Sequence, residues 1–159
     1  MMEALKQAIH DARRRAVMAV ARGILSAIDD SKMAQEVQIQ LLDGETADQI
    51  ERFQEYGFTS APFAQAEAVM VCVGGLRSHG IVIAVEDRRY RLKGLTAGEV
   101  ALYDDQGQAV HLKRGGIVLS SPGVEASENL SVGNGASGTF TSPTGLTITV
   151  QDGIITNIV

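Results

Sequence analysis

After Arg114 the chain carries no lysine or arginine; all fourteen basic residues lie between Lys6 and Arg114. The remaining stretch holds only Glu125, Glu128 and Asp152, so it contributes −3 to a net charge of −5 and leaves −2 for residues 1–116. From Val110 onward the apolar residues come in short β-favouring segments, Val110–Lys113, Ile117–Leu119, Leu130–Val132, Leu146–Val150 and Ile154–Val159, parted by Gly, Ser, Asn or Pro. Each is too short to make a stable sheet alone. Alternation is cleanest at the end, where Leu146, Ile148 and Val150 are expected on one face, Asp152-Gly153 makes a turn, and Ile154, Thr156 and Ile158 share the next face. In one chain such a tail leaves apolar rows and strand edges in water. Winding three chains about a common axis removes both exposures, and that is the organisation the pattern predicts for residues 97–159. Gly and Ser between strands are also the composition of a flexible linker. Apolar alternation continuing to Val159 argues for order.

Upstream, the chain reads as a short helix and a small barrel. Leu5, Ile9 and Ala12 recur at helical spacing within residues 1–15, a length that is marginal without a packing partner. A hairpin follows: Val17, Val20, Ile24 and Ile28 precede the turn Asp29-Asp30-Ser31-Lys32, and Val37, Ile39 and Leu41 then alternate with Gln38, Gln40 and Leu42. Residues 43–63 show few regular signals and hold Phe53, Tyr56, Phe58 and Phe63, an excursion expected to pack on the barrel. Strands are predicted over Ala68–Val73, Gly80–Val85 and Glu99–Tyr103, the last closed by Asp104-Asp105-Gln106-Gly107. Five short strands with one long connection suit a closed barrel over residues 16–96 such as an OB-fold, and equally an SH3-like barrel. With 4% aromatic content and no Trp, small and β-branched side chains must fill its core.

Several function classes are disfavoured. An acidic chain is a poor general partner for nucleic acid, which needs a basic surface; Arg88-Arg89-Tyr90-Arg91-Leu92-Lys93 is the one basic patch with an aromatic, and no nucleic-acid partner is expected. Arg13-Arg14-Arg15 reads as a solvated helix end. Ser78-His79-Gly80 lacks the acid and base spacing of a hydrolytic site, and no Gly-x-Ser-x-Gly elbow occurs, so no enzyme activity is expected. Gly74-Gly75 and Gly133-Asn134-Gly135 lack the Lys-Ser/Thr ending of a phosphate loop. Asp29-Asp30 and Asp104-Asp105 offer too few oxygens for calcium. Cys72, the single cysteine, excludes an intrachain disulfide and suits assembly in a reducing cytoplasm. No apolar run approaches the ~20 residues of a membrane span, and no signal peptide is evident.

Several spaced motifs carry a resemblance. Tyr56-Gly57-Phe58-Thr59-Ser60, Gly74-Gly75-Leu76-Arg77-Ser78-His79-Gly80, Glu86-Asp87-Arg88-Arg89-Tyr90, Gly98-Glu99-Val100-Ala101-Leu102-Tyr103, His111-Leu112-Lys113-Arg114 and the stretch from Gly138-Thr139-Phe140 to Val159 together resemble the Mu-type baseplate assembly protein V family, over most of the chain. The resemblance implies a homotrimer with an OB-fold collar and a C-terminal triple-stranded β-helix needle. It implies a place at the tip of a phage tail baseplate, contact with the tail hub and other baseplate proteins, and passage through the bacterial outer membrane on contraction. Some relatives hold an apical iron through a His-x-His pair; here His10, His79 and His111 are the only histidines, so no cofactor or metal is expected. Apolar packing of Leu146, Ile148, Val150, Ile154, Ile155, Ile158 and Val159 is expected to form the trimer core and close the apex instead. The competing expectation is an OB-fold module binding protein or single-stranded nucleic acid, with a flexible tail.

Overall fold

The computed structural model describes residues 1–41, 44–130 and 132–159. Helix α1 spans Met2–Val17, with Glu3 in its first turn and Arg14 and Arg15 in its last, each on the side that complements the helix dipole. None of its residues is buried. Its C-terminal end meets a 3-10 turn at Val73–Gly75, where Gly75 has φ +71° and a Cβ would lie 2.4 Å from the Arg15 carbonyl oxygen. Only glycine combines that backbone with that approach.

Five strands follow: β1 (Val20–Asp29), β2 (Gln35–Leu41), β3 (Thr46–Arg52), β4 (Glu67–Cys72) and β5 (Gly80–Glu86), closed in the order β1-β2-β3-β5-β4. The closure relies on the length of β1. Its first half, Val20–Ile24, pairs with β4, while Gly23–Asp29 pairs with β2 across an irregularity between Leu25 and Ala27. A bulge of this kind bends a strand and lets it serve two neighbours. The remaining seam is a short parallel pairing of Glu51 and Arg52 with Ile81 and Val82.

Alternation places Val37, Ile39 and Leu41 of β2 and Ala68, Met70 and Cys72 of β4 inside, where Leu25, Ile50 and Val82 complete the core. Burying one such aliphatic side chain fully stabilises by about 1.5–3 kcal/mol. Leu42 and Asp43, expected to continue the second strand and begin the excursion, lie outside the described residues.

Three expectations fail here. Strand β3 falls inside the supposed excursion, because its register with β2 shifts between Val37 and Ile39. Ala47 faces Ile39 and Ile50 faces Val37, so the two inward residues stand three apart and no period of two is visible. Second, Glu99–Tyr103 does not supply the fifth barrel strand; β6 (Val100–Tyr103) joins a separate sheet with β7 (Ala109–Lys113) and β8 (Gly116–Ser120). Third, Phe53, Tyr56, Phe58 and Phe63 are exposed rather than packed on the barrel, although Phe63 stacks on Tyr90 at 5.4 Å. Their loop is fixed by polar groups instead: Arg52 donates to Gln35 Oε1 and to the Ser60 carbonyl, Gln35 Nε2 donates to that same carbonyl, and Ser60 N–H donates to Gln54 Oε1.

A second three-stranded sheet contains β9 (Gly138–Thr141), β10 (Thr147–Gln151) and β11 (Ile154–Ile158). Its β10–β11 turn has φ +50° at Asp152 and +80° at Gly153, the signs of the two-residue turn that matches strand twist. Leu130 and Val132 belong to no strand, and Ser131, between them, lies outside the described residues. Helix and tail leave opposite rims of the barrel. Val20 lies beside Val71 and Cys72 beside Gly80 at one rim, whereas β5 ends at the other with Glu86 opposite Glu67.

Candidate functional site

Strand register makes one face of the β6-β7-β8 sheet wholly aliphatic. Val100, Leu112 and Ile117 stand in one row and Leu102, Val110 and Leu119 in the next, because each set is directly paired across the three strands. These six side chains are 38% to 68% exposed. The opposite face carries Ala101, His111, Val118, Tyr103, Ala109 and Ser120. An apolar face of this kind marks an interaction surface, since scattered single hydrophobes are ordinary but contiguous rows are not.

The β9-β10-β11 sheet repeats the design. Phe140, Ile148 and Ile158 form one row, with Gly138, Val150 and Ile155 in the next. The other face presents Thr139, Thr141, Thr147, Thr149 and Asn157. Of the seven residues expected to close the apex, Ile148, Val150, Ile155 and Ile158 share the apolar face, and Leu146 is exposed just before β10. Ile154 does not share it, and the expected grouping of Ile154, Thr156 and Ile158 is split. A register shift on the β11 side leaves Thr156 without a cross-strand partner and sets Ile154 opposite Gln151. Val159 exchanges backbone hydrogen bonds with Thr147 and so joins the threonine face. Among the described residues both sheets also end in edge strands paired on one side, β6 and β8 in one, β9 and β11 in the other.

A carboxylate ties the first of these sheets to its own turn. Glu99 Oε2 accepts from the Thr96 backbone N–H at 2.9 Å, Oε1 from that of Arg114 at 3.3 Å, and His111 Nε2 lies 3.4 Å from Oε2. The Glu99 side chain is only 10% exposed. The Thr96 N–H, with smaller help from Arg114 and His111 and against a desolvation penalty, holds its carboxyl below the usual glutamate range. No sequence signal singled out Glu99 for this role, although it stands in one of the motifs of the resemblance.

On the barrel, an open groove of about 690 Å³ runs between the Phe53–Ser60 loop and Ile83–Val85 of β5, with Leu102 and Tyr103 of the tail at its edge. Three basic residues of the run after β5 are held by neighbouring carboxylates. Arg88 pairs with Glu67, Arg89 with Asp87 and Arg91 with Glu86, while Arg89 also lies over the Tyr90 ring. Guanidinium groups held by neighbouring carboxylates are poorly placed to track a phosphate backbone. Arg13, Arg14 and Arg15 are exposed on α1; His10 lies on α1, His79 in a 3-10 turn at Arg77–His79, and His111 on β7.

Comparison with known proteins agrees with this layout. The family model described as Bacteriophage Mu Gp45, N-terminal, matches residues 22–89, the barrel region. The baseplate puncturing device gp45 of Escherichia phage Mu is 37% identical over 132 residues, covering 81% of this chain and 67% of that protein. The Mu-like prophage FluMu protein gp45 of Haemophilus influenzae is 38% identical over 120 residues, covering 76% and 65%. The matches thus span about two thirds of each relative's length. Identity at this level extends well beyond the barrel, so the chain belongs to the Mu gp45 family of structural phage baseplate proteins, and its place is the tail baseplate of the virion.

Proposed function

We propose that the chain is the homotrimeric central spike of the baseplate and that it punctures the outer membrane of the host when the tail contracts. One observation carries this reading: six aliphatic side chains on a single exposed face of the β6-β7-β8 sheet, with a second apolar face on the β9-β10-β11 sheet. Three copies arranged about one axis turn these faces inward and pair the free strand edges, leaving the threonine-rich face outside. The name of the Mu relative, a puncturing device, supports the same role.

In this reading residues 1–15 form a helical entry, residues 16–96 an OB-fold collar that meets the tail hub and other baseplate proteins, and residues 97–159 an intertwined β-helix needle. The strand order β1-β2-β3-β5-β4 supports the OB assignment. Layers about 4.8 Å apart with roughly eight residues each make a needle on the order of 40 Å long, comparable with a bilayer. The apex closes by apolar packing of Leu146, Ile148, Val150, Ile155 and Ile158, without a metal. Interwound chains resist peeling, because a strand leaves only by breaking contacts to two neighbours; resistance under load is then mainly kinetic. No enzyme activity and no nucleic-acid partner belong to this function.

Phage particles carrying the chain truncated after Pro122 test the piercing role. They are expected to assemble and adsorb, as seen by electron microscopy and binding assays, yet to deliver their genome at least tenfold less often. Assembled particles that eject normally would contradict it.

A further inference from the structure

Helix α1 is a regular element outside the tail whose apolar residues are all exposed. Met2, Leu5, Ile9, Ala12 and Ala16 follow one another at spacings of three, four, three and four residues, and all are exposed. That is the spacing of a seam between helices, narrower than the face a helix turns to a globular core. A lone helix of this length is marginal in water, and α1 meets the barrel at its C-terminal end with none of its residues buried. Something must cover the stripe.

The charges beside the stripe select the occupant. With Met2 and Ile9 at the first heptad position, the flanking sites hold Lys6 and Arg13 on one side and Ala8 and Arg15 on the other. In a parallel, in-register bundle Arg13 of one helix faces Ala8 of the next, and no like charges meet. Antiparallel packing sets the Lys6 and Arg13 sites against each other, both basic. Parallel packing is also what a threefold assembly imposes, since every copy sends α1 out of the same barrel rim. Ala12 and Ala16 are small, and in a bundle they let the helices approach closely at the barrel end of α1.

We infer that the α1 helices of three copies form a parallel three-stranded coiled coil on the side of the collar away from the needle, sealed by Met2, Leu5 and Ile9. The inference rests on the trimeric reading above and adds a second clamp to it, so the chains are tied at both ends of the barrel. The alternative occupant, a different baseplate protein lying along the stripe, leaves the three helices apart.

Cysteine cross-linking in the full-length chain tests it. Cys72 is buried, at 2% exposure, and serves as a silent background. Ile9→Cys places a thiol at the seam and Gln7→Cys places one on the outside of the same helix. Under mild copper-phenanthroline oxidation, Ile9→Cys is expected to give disulfide-linked pairs of chains at least fivefold faster than Gln7→Cys. As a second measurement, Leu5→Asp should reduce the helical signal at 222 nm while the needle keeps the three-chain mass. A trimer by sedimentation in which Ile9→Cys links no faster than Gln7→Cys overturns the coiled coil and spares the trimer. A parent chain that sediments as a monomer overturns both.

Discussion

Glu99 and Arg52 do the same task at two places: each holds a loop by satisfying backbone groups. Because the Glu99 carboxyl lies below its ordinary range when folded, its contribution is present at neutral pH and disappears as pH falls through the folded value. Glu99→Gln is therefore expected to lower the melting temperature at pH 7, and the gap to wild type should close below about pH 4.3, the unfolded glutamate value. Calorimetry at fixed protein concentration across the acid range measures it; a gap that stays constant to pH 2 contradicts the assignment. At Arg52 the dependence is on burial. Gln35 is 6% exposed and its Oε1 accepts from Arg52, so Arg52→Ala leaves a buried acceptor unpaired and should destabilise the barrel by about 1–3 kcal/mol. Proteolysis within the Phe53–Ser60 loop should rise with it.

Among the elements, the strands that could be read from sequence are those whose alternation runs unbroken. Val37, Ile39 and Leu41, and likewise Ala68, Met70 and Cys72, sit in the core that their period of two announces. Strand β3 was hidden by its bulge, and the same irregularity in β11 moved Ile154 off the face where alternation had placed it. The paired rows of the tail sheets were only half legible. Alternation gives the faces of one strand, but the register that aligns Val100 with Leu112 and Ile117 depends on turns whose lengths the sequence leaves open. Three substitutions separate barrel from tail. Met70→Ala empties a fully buried site and should cost about 2–5 kcal/mol without changing the mass of the assembly. Leu112→Asp, in the middle strand of the apolar face, should dissociate the proposed trimer, whereas Ser120→Asp on the opposite face should not; light scattering distinguishes them.

For the whole molecule, charge and assembly are one design. Every lysine and arginine lies at or before Arg114, with Lys113 ending β7 and Arg114 following it; several are paired beside the barrel, while one face of the β9-β10-β11 sheet is rich in threonine. In the proposed piercing role, a cationic tip would be held by the polyanionic surface it crosses. Replacing Thr139, Thr141 and Thr147 by Lys is expected to leave the apolar face intact yet raise nonproductive adsorption and slow genome delivery. Unchanged infectivity would remove charge from the account. The piercing role, the sealed apex and the helical clamp all presuppose three chains. Sedimentation equilibrium of the purified full-length chain is the most direct test: a single species at three times the 16.9 kDa chain mass, unchanged on dilution to the micromolar range, is the predicted result, and a 16.9 kDa species would contradict it.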